Sequence, residues 1–101
     1  MRTTYSVGIA LPITIPTQLL HANPYRLYFT IDNHDAANYL AFSPNQRVTA
    51  GVYDANEGTH LAAGDLVNGV GSKQEVWAVA NTAPVNITVT EVTEIPDTRR
   101  P

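Results

Sequence analysis

The feature that most limits what this chain can fold into is a two-residue rhythm. In "YRLYFTID" (residues 25–32), Tyr25, Leu27, Phe29 and Ile31 alternate with Arg26, Tyr28, Thr30 and Asp32. Successive side chains of an extended strand point to opposite faces, so this run reads as a strand with its apolar face turned inward. The alternation returns in "VNITVTEV", with Val85, Ile87 and Val89 on one face and Asn86, Thr88 and Thr90 on the other. "QEVWAVA" sets Val76, Ala78 and Ala80 against Trp77 and Val79, a strand covered on both faces. "NYLAF", "RVTAGVY" and "ITIPTQLL" supply further strands, with Pro16 confining the last to an edge or a bend. No stretch carries an apolar period of 3.6 residues.

Turn chemistry punctuates these runs about every ten residues: "ANP", "NHDAAN", "SPNQ", "DANEG", "AAGD", "NGVGS" and "NTAP". About six to eight short strands joined by polar turns predict an all-β fold, a small antiparallel β-sandwich of jelly-roll or Ig-like type. The 101 residues make one domain. Residues 1–16 are expected to form an N-terminal arm or edge strand, 17–94 the sandwich body and 95–101 a C-terminal tail. The expected core is Leu27, Phe29, Ile31, Trp77, Val79, Ile87 and Val89.

Composition removes several functions. With no cysteine among these residues, neither a disulfide framework nor a thiolate zinc site can be built from them. No apolar run approaches the roughly 18 residues that span a membrane. The opening "MRTTYSVGIALPITIP" is interrupted by Pro12 and Pro16, so it reads as part of a mature fold made in a cytoplasm rather than as a signal peptide. Arg2, Arg99 and Arg100 account for three of the six cations, which leaves Arg26, Arg47 and Lys73 against nine carboxylates. An acidic body repels phosphate and argues against a nucleic-acid platform. Charged residues are 15% of the chain, against roughly 25% in an average domain, as expected if a partner covers part of the surface.

"DNHD" (Asp32, Asn33, His34, Asp35) is the densest cluster of reactive side chains. A metal needs three or more converging ligands, and Asp54, Glu57 or His60 would have to supply the rest. Asp and Asn at a strand end more commonly satisfy turn backbone, and that is the reading adopted. No serine sits in a Gly-x-Ser-x-Gly elbow, "DANEG" lacks calcium-loop spacing, and "GVGS" leads into a strand rather than a helix. Glu91 and Glu94 lie near the end of the last strand and are expected to be solvated. "NIT" at 86–88 matches a glycosylation acceptor but falls mid-strand. No catalytic residue, cofactor or metal is expected, and the protein reads as a non-enzyme. The aromatics read mainly as core, with Tyr28 the best candidate for an exposed one.

Taken together, residues 24–92 carry a larger pattern. It consists of an "R-x-x-x-x-x-x-N" strand (Arg26 to Asn33), a short strand (Tyr39 to Phe42), an "L-x-x-G" turn (Leu61 to Gly64) and a "V-[WY]-A-[IV]-A" strand (Val76 to Ala80). This pattern resembles the small β-sandwich virion proteins of tailed bacteriophages, which serve as capsid decoration (cement) proteins and as tail or fibre accessory modules. The segments "DANEGTH" and "DLVNGVGSK" are longer than that pattern's connections, and the N-terminal "YSVGIALPITIPTQLL" has no clear counterpart in it. The resemblance implies a structural protein on the virion's capsid surface, bound to the major capsid protein and to copies of itself, as a homotrimer on the particle. Tail, neck or fibre accessory proteins are the runner-up. A carbohydrate-binding module for host glycans is the rival from another class. Arg2, Pro12, Pro16, Pro96, Arg99 and Arg100 are the expected partner-binding residues, on arms laid over a neighbouring subunit: proline stiffens an extended segment, and arginine donates paired hydrogen bonds to carboxylates.

Overall fold

Eight strands arranged as two four-stranded antiparallel sheets make up the described residues. The structure is a computed structural model that describes residues 1–13, 15–44, 59–69, 73–81 and 83–96. In chain order the strands are β1 (Arg2–Leu11), β2 (Thr17–Leu20), β3 (Arg26–Asn33), β4 (Leu40–Ser43), β5 (Thr59–Leu61), β6 (Leu66–Asn68), β7 (Val76–Ala80) and β8 (Val85–Glu94). The first sheet runs β1-β8-β3-β6 and the second β2-β7-β4-β5. Of the two sandwich types expected, this order is the jelly roll. Its chain changes sheet at nearly every connection, whereas an Ig fold keeps its first two strands in one sheet. "RVTAGVY" lies outside the described residues.

The core forms where the inward positions of the two sheets meet. Leu11, Phe29, Ile31, Val85, Ile87 and Val89 come from the first sheet. Leu19, Leu20, Leu40, Leu61, Val76, Ala78 and Ala80 come from the second. Trp77, expected among them, is not there. It lies half-buried on the outer face of the second sheet, packed on Ala41 and Val79, and its indole N–H donates to Glu75 Oε1 at 2.7 Å. Val79 is buried as expected, but in this outer cluster rather than between the sheets. β7 lies between β2 and β4, and its Val76, Ala78 and Ala80 face inward in the same cluster as Leu19, Leu20 and Leu40. Trp77→Ala is therefore expected to leave a folded protein, destabilised by about 1–3 kcal/mol rather than the 3–5 kcal/mol of an enclosed aromatic. A thermal melt with intact far-UV dichroism checks this, and an unfolded variant would contradict it.

Strand β3 departs from strict alternation. Arg26 pairs with Thr93 and Tyr28 with Val92, so Leu27 is an extra residue opposite a single step of β8. This β-bulge shifts the phase by one residue. Arg26 is turned onto the inner side with Phe29, Ile31 and Asn33, and Leu27 is left half-buried. Both earlier expectations, Leu27 as core and Arg26 as outer, are corrected by this one inserted residue. Tyr25, also expected inward, is 48% exposed at the turn before the strand.

Of the two expectations for the N-terminal segment, arm or edge strand, residues 2–11 form the edge strand. They pair with 94–85 of the same chain in an unbroken register, from Arg2↔Glu94 to Leu11↔Val85. This edge strand is integral to the sandwich, because Val7, Ile9 and Leu11 supply an inward stripe that packs on the core. "LAAGD", read as a turn, carries the chain from the second sheet to the first. Asp65 N–H donates to the Ala62 carbonyl at 3.2 Å, and Gly64 has φ 75°. That is type II turn geometry, in which the third position requires a positive φ and therefore favours glycine.

Candidate interaction surface

Two buried polar residues, one at each end of β3, hold the connections in place. Arg26 is fully buried. Its Nε donates to Glu91 Oε2 at 2.8 Å, Nη1 to the Gln74 carbonyl at 2.8 Å and Nη2 to the His21 carbonyl at 2.7 Å. The guanidinium also lies 5.6 Å from the centre of the Phe29 ring. Lys73 Nζ donates to the Arg26 carbonyl, and Asn23 Nδ2 donates to Glu91 Oε2 and Thr93 Oγ1. Glu91, expected to be solvated, is instead 16% exposed and bound to a buried cation. One planar side chain thus ties together the turn after β2, the approach to β7 and strand β8.

Asn33 does the same at the opposite end. It is fully buried, with Nδ2 donating to the carbonyls of Asn38 and Ala62 and Oδ1 accepting from the Asp35 N–H. The Asp35 carboxylate accepts from the N–H groups of Ala37 (2.9 Å) and Asn38 (2.6 Å) and from Asn38 Nδ2. His34 Nε2 bonds Thr88 Oγ1 at 2.6 Å, and its Nδ1 lies 3.9 Å from Asp32 Oδ1. "DNHD" thus directs its hydrogen bonds to its own loop, to the Ala62 carbonyl and to Thr88 of β8, and no group of three His, Asp or Glu side chains is gathered for a metal among the described residues. Asp54 and Glu57 lie outside those residues. His60 stacks edge-on against Tyr39.

The Asp35 hydrogen bonds have a pH consequence. Backbone N–H donation from Ala37, then from Asn38, holds the carboxyl below its ordinary value of 3.8. A depressed folded pKa adds stability that is present above the unfolded value and is lost as pH falls through the folded one. The urea midpoint should therefore fall on acidification below about pH 4 by more in the parent than in Asp35→Ala. Equal acid sensitivity of the two proteins would show that the loop bonds contribute nothing.

The expected partner-binding residues do not converge. Arg2 lies 3.5 Å from Glu94 of its own chain. The Glu94 carboxyl is held below its usual range first by the Met1 amino group, at 3.0 Å, and to a lesser extent by Arg2. Pro96 is exposed just beyond β8, two residues past the Glu94 that pairs with Arg2. Pro12 and Pro16 lie past the other end of β1, where the Pro12 carbonyl accepts from the Ala80 N–H at 2.9 Å. A ten-residue strand, roughly 30 Å long, separates the two pairs. Arg99 and Arg100 lie outside the described residues.

Sequence reasoning did not anticipate the flank between β1 and β2. These are edge strands of opposite sheets, and an open groove of about 460 Å³ runs between them, lined by Tyr5, Val7, Ile9, Leu19 and Leu20 among others. Tyr5 is 54% exposed there. An edge strand was among the expectations for residues 1–16, but nothing in the sequence placed β1 beside β2 across a groove.

No family model matches this chain, and no curated protein matches it. One solved structure is similar: a protein of Bacillus endospore appendages, described as a novel family of disulfide-linked pili. Its TM-score is 0.51 at 10% identity, over 95% of this chain and 88% of that one. At that identity the likeness concerns the fold. This chain has no cysteine with which to form disulfide links.

Proposed function

We propose that this chain is a non-enzymatic structural protein of a tailed-bacteriophage virion, a capsid cement or decoration protein that binds the outer surface of the major capsid protein shell. The observation that carries the reading concerns the residues behind the resemblance. Arg26, Asn33 and Gly64 are the positions that lock the sandwich connections, each by a hydrogen bond or a backbone conformation no neighbouring residue type would supply. The pattern is thus a framework for a stiff module, which suits a clamp that adds interface without chemistry. Jelly rolls recur in viral capsid and lectin domains, a fold-level analogy that raises the prior for both. Tail, neck or fibre placement is the variant reading within the virion.

Two observations favour other readings. The likeness to an endospore pilus protein supports a filament subunit, and exposed Tyr5 and Tyr25 support a carbohydrate-binding module. Coexpression with the major capsid protein of the same genome, followed by electron cryo-microscopy, distinguishes them. Ordered copies across the outer head surface are the expected result. Bare heads would overturn the cement reading: copies on tails would favour the accessory role, fibres of the chain alone the filament, and a positive glycan array the lectin.

A further inference from the structure

We propose that the outer edge of β1, unpaired among the described residues, is a self-docking surface, on which β1 of a second copy pairs antiparallel about a two-fold axis at Ser6. The hydrogen-bond parity of the strand comes first. Met1 and Ile95 exchange both backbone bonds, at 2.8 and 2.9 Å, and the β1–β8 register continues from there without a break. In an antiparallel pair, hydrogen-bonded and non-hydrogen-bonded positions alternate. Thr3, Tyr5, Val7, Ile9 and Leu11 therefore turn their N–H and C=O groups toward β8, while Arg2, Thr4, Ser6, Gly8 and Ala10 turn theirs away from the sheet. Glu94, whose N–H donates to Tyr25 on the β3 side, has the parity this requires.

That edge lacks the features that normally keep edges apart. It has no proline, no bulge against β8, and a single charge at its extreme end. The other edge strands among the described residues, β2, β5 and β6, have only four, three and three residues. A ten-residue edge is matched in length by another β1.

The strand is also self-complementary. With the axis at Ser6, the outward residues pair as Arg2 with Ala10, Thr4 with Gly8 and Ser6 with its own copy. Counted from both copies this makes five pairs of two bonds each, ten in all, so every outward backbone group of residues 2–10 is used. On the inner face Tyr5 meets Val7 of the second copy, and Thr3 meets Ile9. The first is an aromatic against a β-branched residue, a favourable cross-strand combination. It lays an exposed tyrosine over the half-buried Val7 that lines the open groove. Arg2 faces alanine, so like charges do not oppose each other. The pairing joins two four-stranded sheets into one, and it holds equally for a capsid clamp or a filament subunit.

Sedimentation equilibrium of the whole chain is the test, with three variants. The parent is expected to dimerise. Thr4→Pro removes an N–H that points away from β8, and should give a monomer with an unchanged melting profile. Ser6→Lys and Ser6→Glu each place like charges across the axis and should weaken dimerisation on the order of tenfold in low salt. Mixed together they should restore it, because position 6 meets itself only in this register. A parent that stays monomeric at millimolar concentration, a trimer, or a dimer that the charge variants do not perturb would overturn the proposal. Should Thr4→Pro fail to fold, the Lys/Glu mixing experiment alone decides. Head binding by a parent that stays monomeric would leave the cement reading standing while this pairing fails.

Discussion

Arg26→Ala is expected to destabilise the fold by about 3–5 kcal/mol, the cost of leaving a buried ion-pair partner uncompensated. Glu91 would keep Asn23 as a donor but lose the cation 2.8 Å away, while the carbonyls of Gln74 and His21 would both lose their donor. Against a typical domain stability of about 5–15 kcal/mol, that loss is enough to populate the unfolded state at room temperature. Arg26→Lys should recover little, because a single ammonium cannot present donors in three fixed in-plane directions. Nor should replacing both Arg26 and Glu91 by apolar residues be neutral, since the two carbonyls would still go unpaired. Urea denaturation of the three variants measures this. An Arg26→Ala midpoint corresponding to less than about 1 kcal/mol of loss would mean that water replaces the guanidinium, and that the hub is only apparent.

Phe29→Ala comes second, with an expected loss of about 3–5 kcal/mol. The ring is 4% exposed, lies beside the Arg26 guanidinium and presses on Gly69. A Cβ placed on Gly69 would come within 2.1 Å of the ring, so the ring occupies the space a side chain would need. Gly69 N–H also donates to the Phe29 carbonyl at 2.8 Å, which prevents the backbone from backing away. Gly69→Ala alone should therefore cost about 1–3 kcal/mol through overpacking. Combined with Phe29→Ala it should cost almost nothing further, because the clash has gone. This double-mutant cycle distinguishes direct contact from two independent losses. Additive effects would show that the ring and the glycine do not share the space.

Much of this architecture was legible as parity. Period-two runs located β3, β4, β7 and β8, Pro16 marked the strand after it as an edge, and "AAGD" was recognisable as a turn because glycine tolerates the φ of 75° found at Gly64. The polar loop at "DNHD" was readable for a related reason: short Asp and Asn side chains reach their own backbone, as Asn33 and Asp35 do. These features depend on residues within a few positions of one another.

Alternation states which residues share a face but not which face is inside. In β7 both faces are apolar, so Trp77 was placed in the core, and only the packing of the second sheet shows the alanines inward and the indole outward. The bulge at Leu27 was likewise invisible, because it is a mismatch between two strands and exists only once β3 meets β8. It is what buries Arg26. The role of residues 2–11 depended on a partner 92 positions away, where Arg2 meets Glu94. The sequence by itself determined strands β3, β4, β7 and β8 and the alternation along them, together with local turns such as "AAGD". The tertiary structure decided which face is buried, where the phase slips and which edge stays open, because those are properties of pairs of segments far apart in the chain.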